Sequence, residues 1–367
     1  MGGSGPLTFL IEFVCPRLER HLSRDKTAAE QQHRLAPRQE PQVLQVSVAV
    51  ALAQLLAKLP RRLRDQRLPK LVYRLAEFLR SREHAVRKEA GATLVRVVQL
   101  LGNDYLGFVA RELSLLLARG YTRHVLAHTL HSLLRHCQAA GMPTGCLDGE
   151  TLDRLCRIYM DELLGDLSKE KEVEALTRKL PEAQRTHAYS VMHRLGSMVG
   201  PTGLAQLTNI LANQCSAVRS LAALKKLERL CGQLERADSL PGNSGLTDEQ
   251  LLTAAHLLCR RAGDEQNGDN NSKDKLLVAS GIEPAAEHRS VGIRGPDCRL
   301  LDPEPARSET RPAQLGSYQV LLRFGLRLLY AVLRNASSKS DSESGKNKNC
   351  SPISRRMLDP FVPILLS

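Results

Sequence analysis

Apolar residues recur along this chain with helical spacing, and the spacing itself repeats. Between Leu68 and Leu79 they stand at Leu68, Leu71, Val72, Leu75, Phe78 and Leu79, one face of a helix with period 3.6. Thirty-eight positions later the same face returns as Leu106, Val109, Ala110, Leu113, Leu116 and Leu117. Each stretch is followed by a short polar turn and a second amphipathic run: Val86, Ala90, Leu94 and Val97, then Leu126, Leu130, Leu134 and Cys137. An earlier copy runs Leu44, Val48, Leu52, Leu55, Leu56 and Leu59. One helix pair per unit of about 40 residues suits HEAT or armadillo arrays. A single pair cannot bury its apolar stripe alone, so neighbours must stack. The predicted fold class is therefore all-α: an irregular HEAT/armadillo-type α-solenoid of five or six helix pairs.

The unit at 68–102 shows the pattern most clearly. Pro69 is expected in the first turn of its first helix, where a missing N–H costs nothing, and Gly102 should stop the second helix. After Gly141-Met142-Pro143 the pattern loosens. Helices are predicted over 147–164, 170–178 and 182–196, with Pro181 breaking the second from the third. Others should follow near 201–213, 216–235 and 247–261. This divides the chain into a HEAT-repeat array over 6–261 and a polar, disordered insertion over 262–313 that cannot bury much surface. A further helix of the array over 314–334 comes next, then a disordered linker over 335–352. Residues 353–367 are predicted to start another helical segment, truncated where the chain ends, as expected of a fragment.

Composition narrows the class. Aromatic residues make up 4% of the 367 positions and Trp is absent, against 42% apolar residues in all. Sheets favour β-branched and aromatic residues, so this balance favours helices. Nine cysteines with no CxxC pair are expected to be reduced thiols. The apolar run from Leu7 to Cys15 contains Glu12 with no basic residue before it, which makes it a poor signal peptide. No stretch approaches the roughly 20 uncharged residues of a membrane span. A soluble, intracellular protein without membrane contact is expected.

Candidate chemistry is sparse. GxSxG, P-loop and GxGxxG patterns are absent. Asp161, Glu162, Asp166, Glu170, Glu172 and Glu174 form an acidic stretch at a helix junction and read as a solvated face. His124 and His128 stand at the i,i+4 spacing of zinc proteases, followed by His131 and His136, but HVLAH lacks the glutamate that would act as general base. They are expected to be polar-face or interfacial histidines. No catalytic residue, metal site, cofactor or small-molecule substrate is predicted. Charge is more suggestive. The formal net charge is +13, which favours an acidic partner. From Lys58 to Arg96 there are twelve Lys and Arg against four Asp and Glu. Arg61, Arg62, Arg64, Arg67 and Lys70 are expected in and just after the turn between units, with Arg87 and Lys88 opening the next helix. These seven are the candidate contacts to RNA phosphates or a protein partner. Scarce aromatics argue against base stacking.

Several segments, in order, resemble one family. RGYTRHVLAHTLHSLL (119–134), EKEVEALTRKLPEAQRTHAYSVMHRLG (170–196), PDCRLLDPEP (296–305), LLRFGLRLLYAVL (321–333) and MLDPFVPILL (357–366) are similar to segments of the down-regulated-in-metastasis (DRIM) family. That family is the giant HEAT-repeat subunit of the small-subunit processome associated with the U-three small nucleolar RNA. The resemblance implies an internal piece of a longer, non-catalytic scaffold in the nucleus and nucleolus. Its implied partners are pre-ribosomal RNA or small nucleolar RNA and other processome proteins. A HEAT-repeat nuclear transport carrier or another protein-interaction scaffold is the alternative. Carriers that grip basic cargo signals need an acidic inner face, which this basic chain does not suggest.

Overall fold

The structure is a computed structural model and describes residues 6–22, 40–143, 145, 147–173, 178–235, 247–279, 316–342 and 358–361. Among them there is no strand. The chain runs through α1 (Cys15–Leu22, led in by Pro6–Phe9 and a π-helical stretch Leu10–Val14), α2 (Glu40–Lys58), α3 (Arg61–Leu79), α4 (His84–Leu101), α5 (Leu106–Leu116) and α6 (Thr122–Ala139). It continues through α7 (Gly149–Leu164), a short α8 (Asp166–Lys171), α9 (Ala188–Met198), α10 (Pro201–Ala217), α11 (Leu221–Glu235), α12 (Asp248–Ala279) and α13 (Ser317–Ser342).

The apolar periodicity dictates how these helices stack. In α3 the residues Leu68, Leu71, Val72, Leu75 and Leu79 are all buried, and α4 answers with Val86, Ala90, Leu94, Val97 and Val98. Each helix therefore needs cover from its pair partner and from the next pair, and two layers result. Helices α3, α5, α7, α10 and α12 touch one another in succession along one layer, while α2, α4, α6, α9, α11 and α13 do so along the other. Helix α1 packs on α2 and opens the first layer. The described residues thus form an α-solenoid of six helix pairs around one continuous apolar core. Helix α8 and the turn Pro181–Ala183 are an addition to the fourth pair, and that turn lies against α6.

Local signals close the helices. Gly102, at φ 106°, ends α4 in backbone that a side chain would strain, as the sequence predicts. Asp148 caps α7 by accepting the Thr151 N–H at 3.3 Å. In the last pair, α12 and α13 come unusually close at Gly325. A Cβ there would stand 2.6 Å from Cys259 Sγ and 2.9 Å from the Ala255 carbonyl oxygen.

Several expectations need correction. Helix α3 begins at Arg61, so Arg61–Arg67 are helical and Pro69 falls well inside the helix, where the Asp65 carbonyl loses its N–H partner. Pro69 is exposed, and water can serve that carbonyl. The helix expected over 182–196 starts only at Ala188, because the residues before it are engaged elsewhere: Glu182 is bonded to Arg87, and the His187 N–H to Glu162. Of the helix expected over 170–178, residues 170–171 end α8, 172–173 leave the helix and 178 is helical again; residues 174–177 lie outside the described residues. Of the insertion expected over 262–313, residues 262–279 continue α12, while 280–313 lie outside the described residues. Helix α13 likewise runs on to Ser342, and 343–352 lie outside. From 353–367 only residues 358–361 are described, and there Phe361 is buried edge-on against His256 of α12 at 5.5 Å.

Candidate partner interface

The seven cations singled out by sequence do not form one surface. Arg61 and Arg62 project from the first turn of α3 and are exposed, with Lys58 at the end of α2 beside them. Arg61 stands 3.7 Å from Asp65. Arg64 lies over the Tyr105 ring at 5.3 Å, and Tyr105 donates its hydroxyl to Asp65 at 2.7 Å. Arg67 and Lys70 are committed to the first helix pair. Arg67 donates to Glu19 at 2.8 Å and to the Ile11 carbonyl at 3.0 Å, while Lys70 donates to Glu19 at 2.6 Å.

Arg87 is committed more deeply still. Its guanidinium is buried and grips Glu182 with two bonds of 2.8 and 2.9 Å, while its remaining nitrogen donates to the Ser81 and Arg82 carbonyls at 3.1 and 2.8 Å. His84 adds a contact of 3.2 Å to the same carboxylate. Burial alone would raise the Glu182 carboxyl, but the bonds from Arg87 outweigh it and hold the group below the usual carboxylate range. Arg87 is therefore structural.

Lys88, the seventh cation, opens onto a groove. It has a volume of about 620 Å³, runs between α4 and α6, and includes Glu182 in its lining. Gly91 and Val95 from α4, with Val125 and Thr129 from α6, are the less exposed groups and make its floor, while Ala92 and Ala139 are exposed beside the rim cations. Lys88 and Arg96 stand along one rim and Arg135 along the other, with His84, His128 and His136 also lining it. Lys88, Arg96 and Arg135 are exposed, and none forms an ion pair with a described residue. The single carboxylate in the lining, Glu182, is already taken by Arg87, so the groove is positively charged. Sequence reasoning passes over Arg96 and Arg135 as partner contacts. The available signal is the i,i+4,i+8 row of Lys88, Ala92 and Arg96 on α4.

The histidines gather beside this groove and not in a metal arrangement. His124 is buried and meets Glu170 at 2.9 Å, on a different neighbour from His128. His131 stacks on His187 at 4.5 Å between ring centres, His128 approaches the same ring at 3.4 Å, and His131 meets Ser190 at 3.1 Å. Burial chiefly, and then Arg194, His128 and Arg135, hold His131 down at about 4; burial and then His131 and His128 hold His187 at about 3. They are neutral at pH 7. Among the described residues no group of three or more His, Cys, Asp or Glu could hold a metal ion, and no helix is long and apolar enough to cross a membrane. Burial lifts the Cys156 thiol to about 12 and Cys259 to about 11, so neither is a ready nucleophile.

Residues 36–259, from just before α2 into α12, match the family of the U3 small nucleolar RNA-associated protein 20 domain. The chain belongs to that family. Two curated members of the U3 small nucleolar RNA-associated protein 20 family are similar to it. The protein of that name from Schizosaccharomyces pombe is 28% identical over 191 residues, 52% of this chain and 8% of its own length. The one from Saccharomyces cerevisiae is 27% identical over 195 residues, again 52% of this chain and 8% of its own. The chain thus covers under a tenth of the length of these relatives. The α2–α3 junction and the groove between α4 and α6 both lie within the stretch that matches the family.

Proposed function

We propose that this chain is a non-catalytic scaffold segment in nucleolar small-subunit pre-ribosome assembly and pre-ribosomal RNA processing. In this reading it holds RNA, small nucleolar or pre-ribosomal, by phosphate contacts at the α2–α3 edge, and other assembly proteins along its faces. The names of its relatives support association with a small nucleolar RNA. One observation carries the contact itself. Arg61, Arg62 and Arg64 crowd the first turn of α3, which has no acidic residue. Cations at a helix N-terminus oppose the macrodipole and cost stability. Their placement is therefore poor for the helix and good for an anion. Arg64 is held by Tyr105, and Arg67 and Lys70 by Glu19, so the contact narrows from five cations to Lys58, Arg61 and Arg62.

Phosphate contacts release counterions, with a log–log salt slope of about −0.7 per contact on single strands, so three contacts give roughly −2. Binding of a pre-ribosomal RNA segment and of an unrelated RNA at several salt concentrations should show that slope for both. The triple change Lys58→Glu, Arg61→Glu, Arg62→Glu should weaken both alike, since phosphate contacts do not specify sequence. The fold should survive: acidic residues suit the N-terminus of α3 at 61 and 62, and reversing the charge of Lys58 in the last turn of α2 costs only about 1 kcal/mol. Affinity that ignores salt, or a triple variant that binds as well as the parent, would leave this edge merely solvated.

A further inference from the structure

The groove between α4 and α6 is separate from that edge, and we propose that it is a docking site for an amphipathic acidic helix of a protein partner. Its floor is built from small, mainly apolar groups, Gly91, Val95, Val125 and Thr129, and the short Ala92 and Ala139 beside the rims leave room for inserted side chains. A Cβ on Gly91 would find its nearest neighbour, Thr129 Oγ1, only at 3.9 Å, so the floor is open at its centre. Its rims carry Lys88 and Arg96 on one side and Arg135 on the other, without carboxylate partners among the described residues.

Charge complementarity selects an anion, and the floor selects which kind. Lys88 and Arg96 lie eight residues apart on α4, about 12 Å at the helical rise, or two turns of a helix laid alongside. An apolar stripe at i, i+3, i+4 and i+7 would fill the floor while acidic residues flanking it meet both rims, the usual form of helix-in-groove recognition. A nucleic-acid strand would satisfy the cations but leave the apolar floor bare, and no Phe, Tyr or Trp lines the groove for a base to stack on.

The test uses the full chain and a labelled peptide of about 20 residues, some 30 Å as a helix, with Leu on one stripe and Asp and Glu elsewhere. A control peptide replaces every Leu by Ser, and an oligouridine is the second probe. Fluorescence anisotropy should show the Leu peptide binding at least about tenfold more tightly than the Ser peptide, a gap of about 1.4 kcal/mol. Val95→Trp, which fills the floor and whose helical neighbours Gly91, Ala92, Val98 and Gln99 carry no charge, should remove binding of the Leu peptide. Lys88→Glu with Arg96→Glu and Arg135→Glu should do so as well. Changes at Lys58, Arg61 and Arg62 should leave it unaltered, which separates this inference from the RNA edge. Circular dichroism of each variant checks that the helices persist. Four outcomes overturn the proposal: no binding of the Leu peptide, equal binding of the Ser peptide, binding that survives Val95→Trp, or oligouridine binding that Val95→Trp abolishes.

Discussion

His187 and His131 are stacked imidazoles held uncharged by burial, at about 3 and about 4, and this has a consequence for acid stability. An unfolded histidine titrates near 6.5. Both groups bind fewer protons folded than unfolded once the pH falls below that value, so stability is complete above about 6.5 and drops as the pH moves towards 4. Glu182, held below its usual range by Arg87, adds to the same trend from the other sign of charge. Its contribution is present above its unfolded value and is lost as the pH falls through its folded one. The expected loss between pH 7 and pH 5 is of order 2 kcal/mol. Urea midpoints measured at the two values should show it, and His187→Leu should flatten the fall. Equal midpoints for the parent chain would mean that these rings are hydrated and charged at pH 5. Glu162 works differently: it is buried, and it accepts the His187 N–H at 3.1 Å and the Lys171 ammonium at 2.6 Å, fixing where α9 begins.

At the scale of elements, the last pair depends on one close approach. Gly325 lets α13 lie against Cys259 and Ala255 of α12, and a larger residue must push the helices apart. Gly325→Val should destabilise the chain by about 1–3 kcal/mol, read as a lower thermal midpoint. Gly263→Ala on α12, where a Cβ meets nothing within 4 Å, is the control and should be neutral or slightly stabilising. How far such elements are legible in sequence depends on how local their cause is. The faces of α3 to α6 follow from apolar period alone, so Leu68 to Leu79 and their repeats point inward as predicted. The start of α3 is not visible that way. Arg61 to Arg67 offer only Leu63 to a periodicity argument, and a run of charge reads as a turn. The stretch before α9 resembles helix in its residues, yet Glu182 and His187 answer to Arg87 and Glu162, 95 and 25 positions away. The cationic rims of the groove are likewise set by the register in which α4 meets α6. Lys88 and Arg96 share a visible helical row, but no spacing in the chain announces that Arg135 faces them.

For the whole molecule, a solenoid is a chain of nearest-neighbour interfaces, and its stability is roughly a sum over repeats. Such an array, pulled from its two ends, should peel one helix pair at a time in small, even steps. The buried fork between Arg87 and Glu182 departs from that rule, because it fastens the second pair to the fourth across the third. Under tension it acts as a clasp across the intervening coils, shielding them until it opens. Its release frees the chain between two side chains 95 positions apart in a single event, about 340 Å when extended at 3.6 Å per residue. Optical-trap traces should contain one long step of that size among the short ones. Glu182→Gln, which weakens the clasp while keeping its shape, should break that step into the short releases of separate pairs. A parent chain that yields only short, even steps would mean that the fork bears no load, and that this array pays out like any other string of repeats.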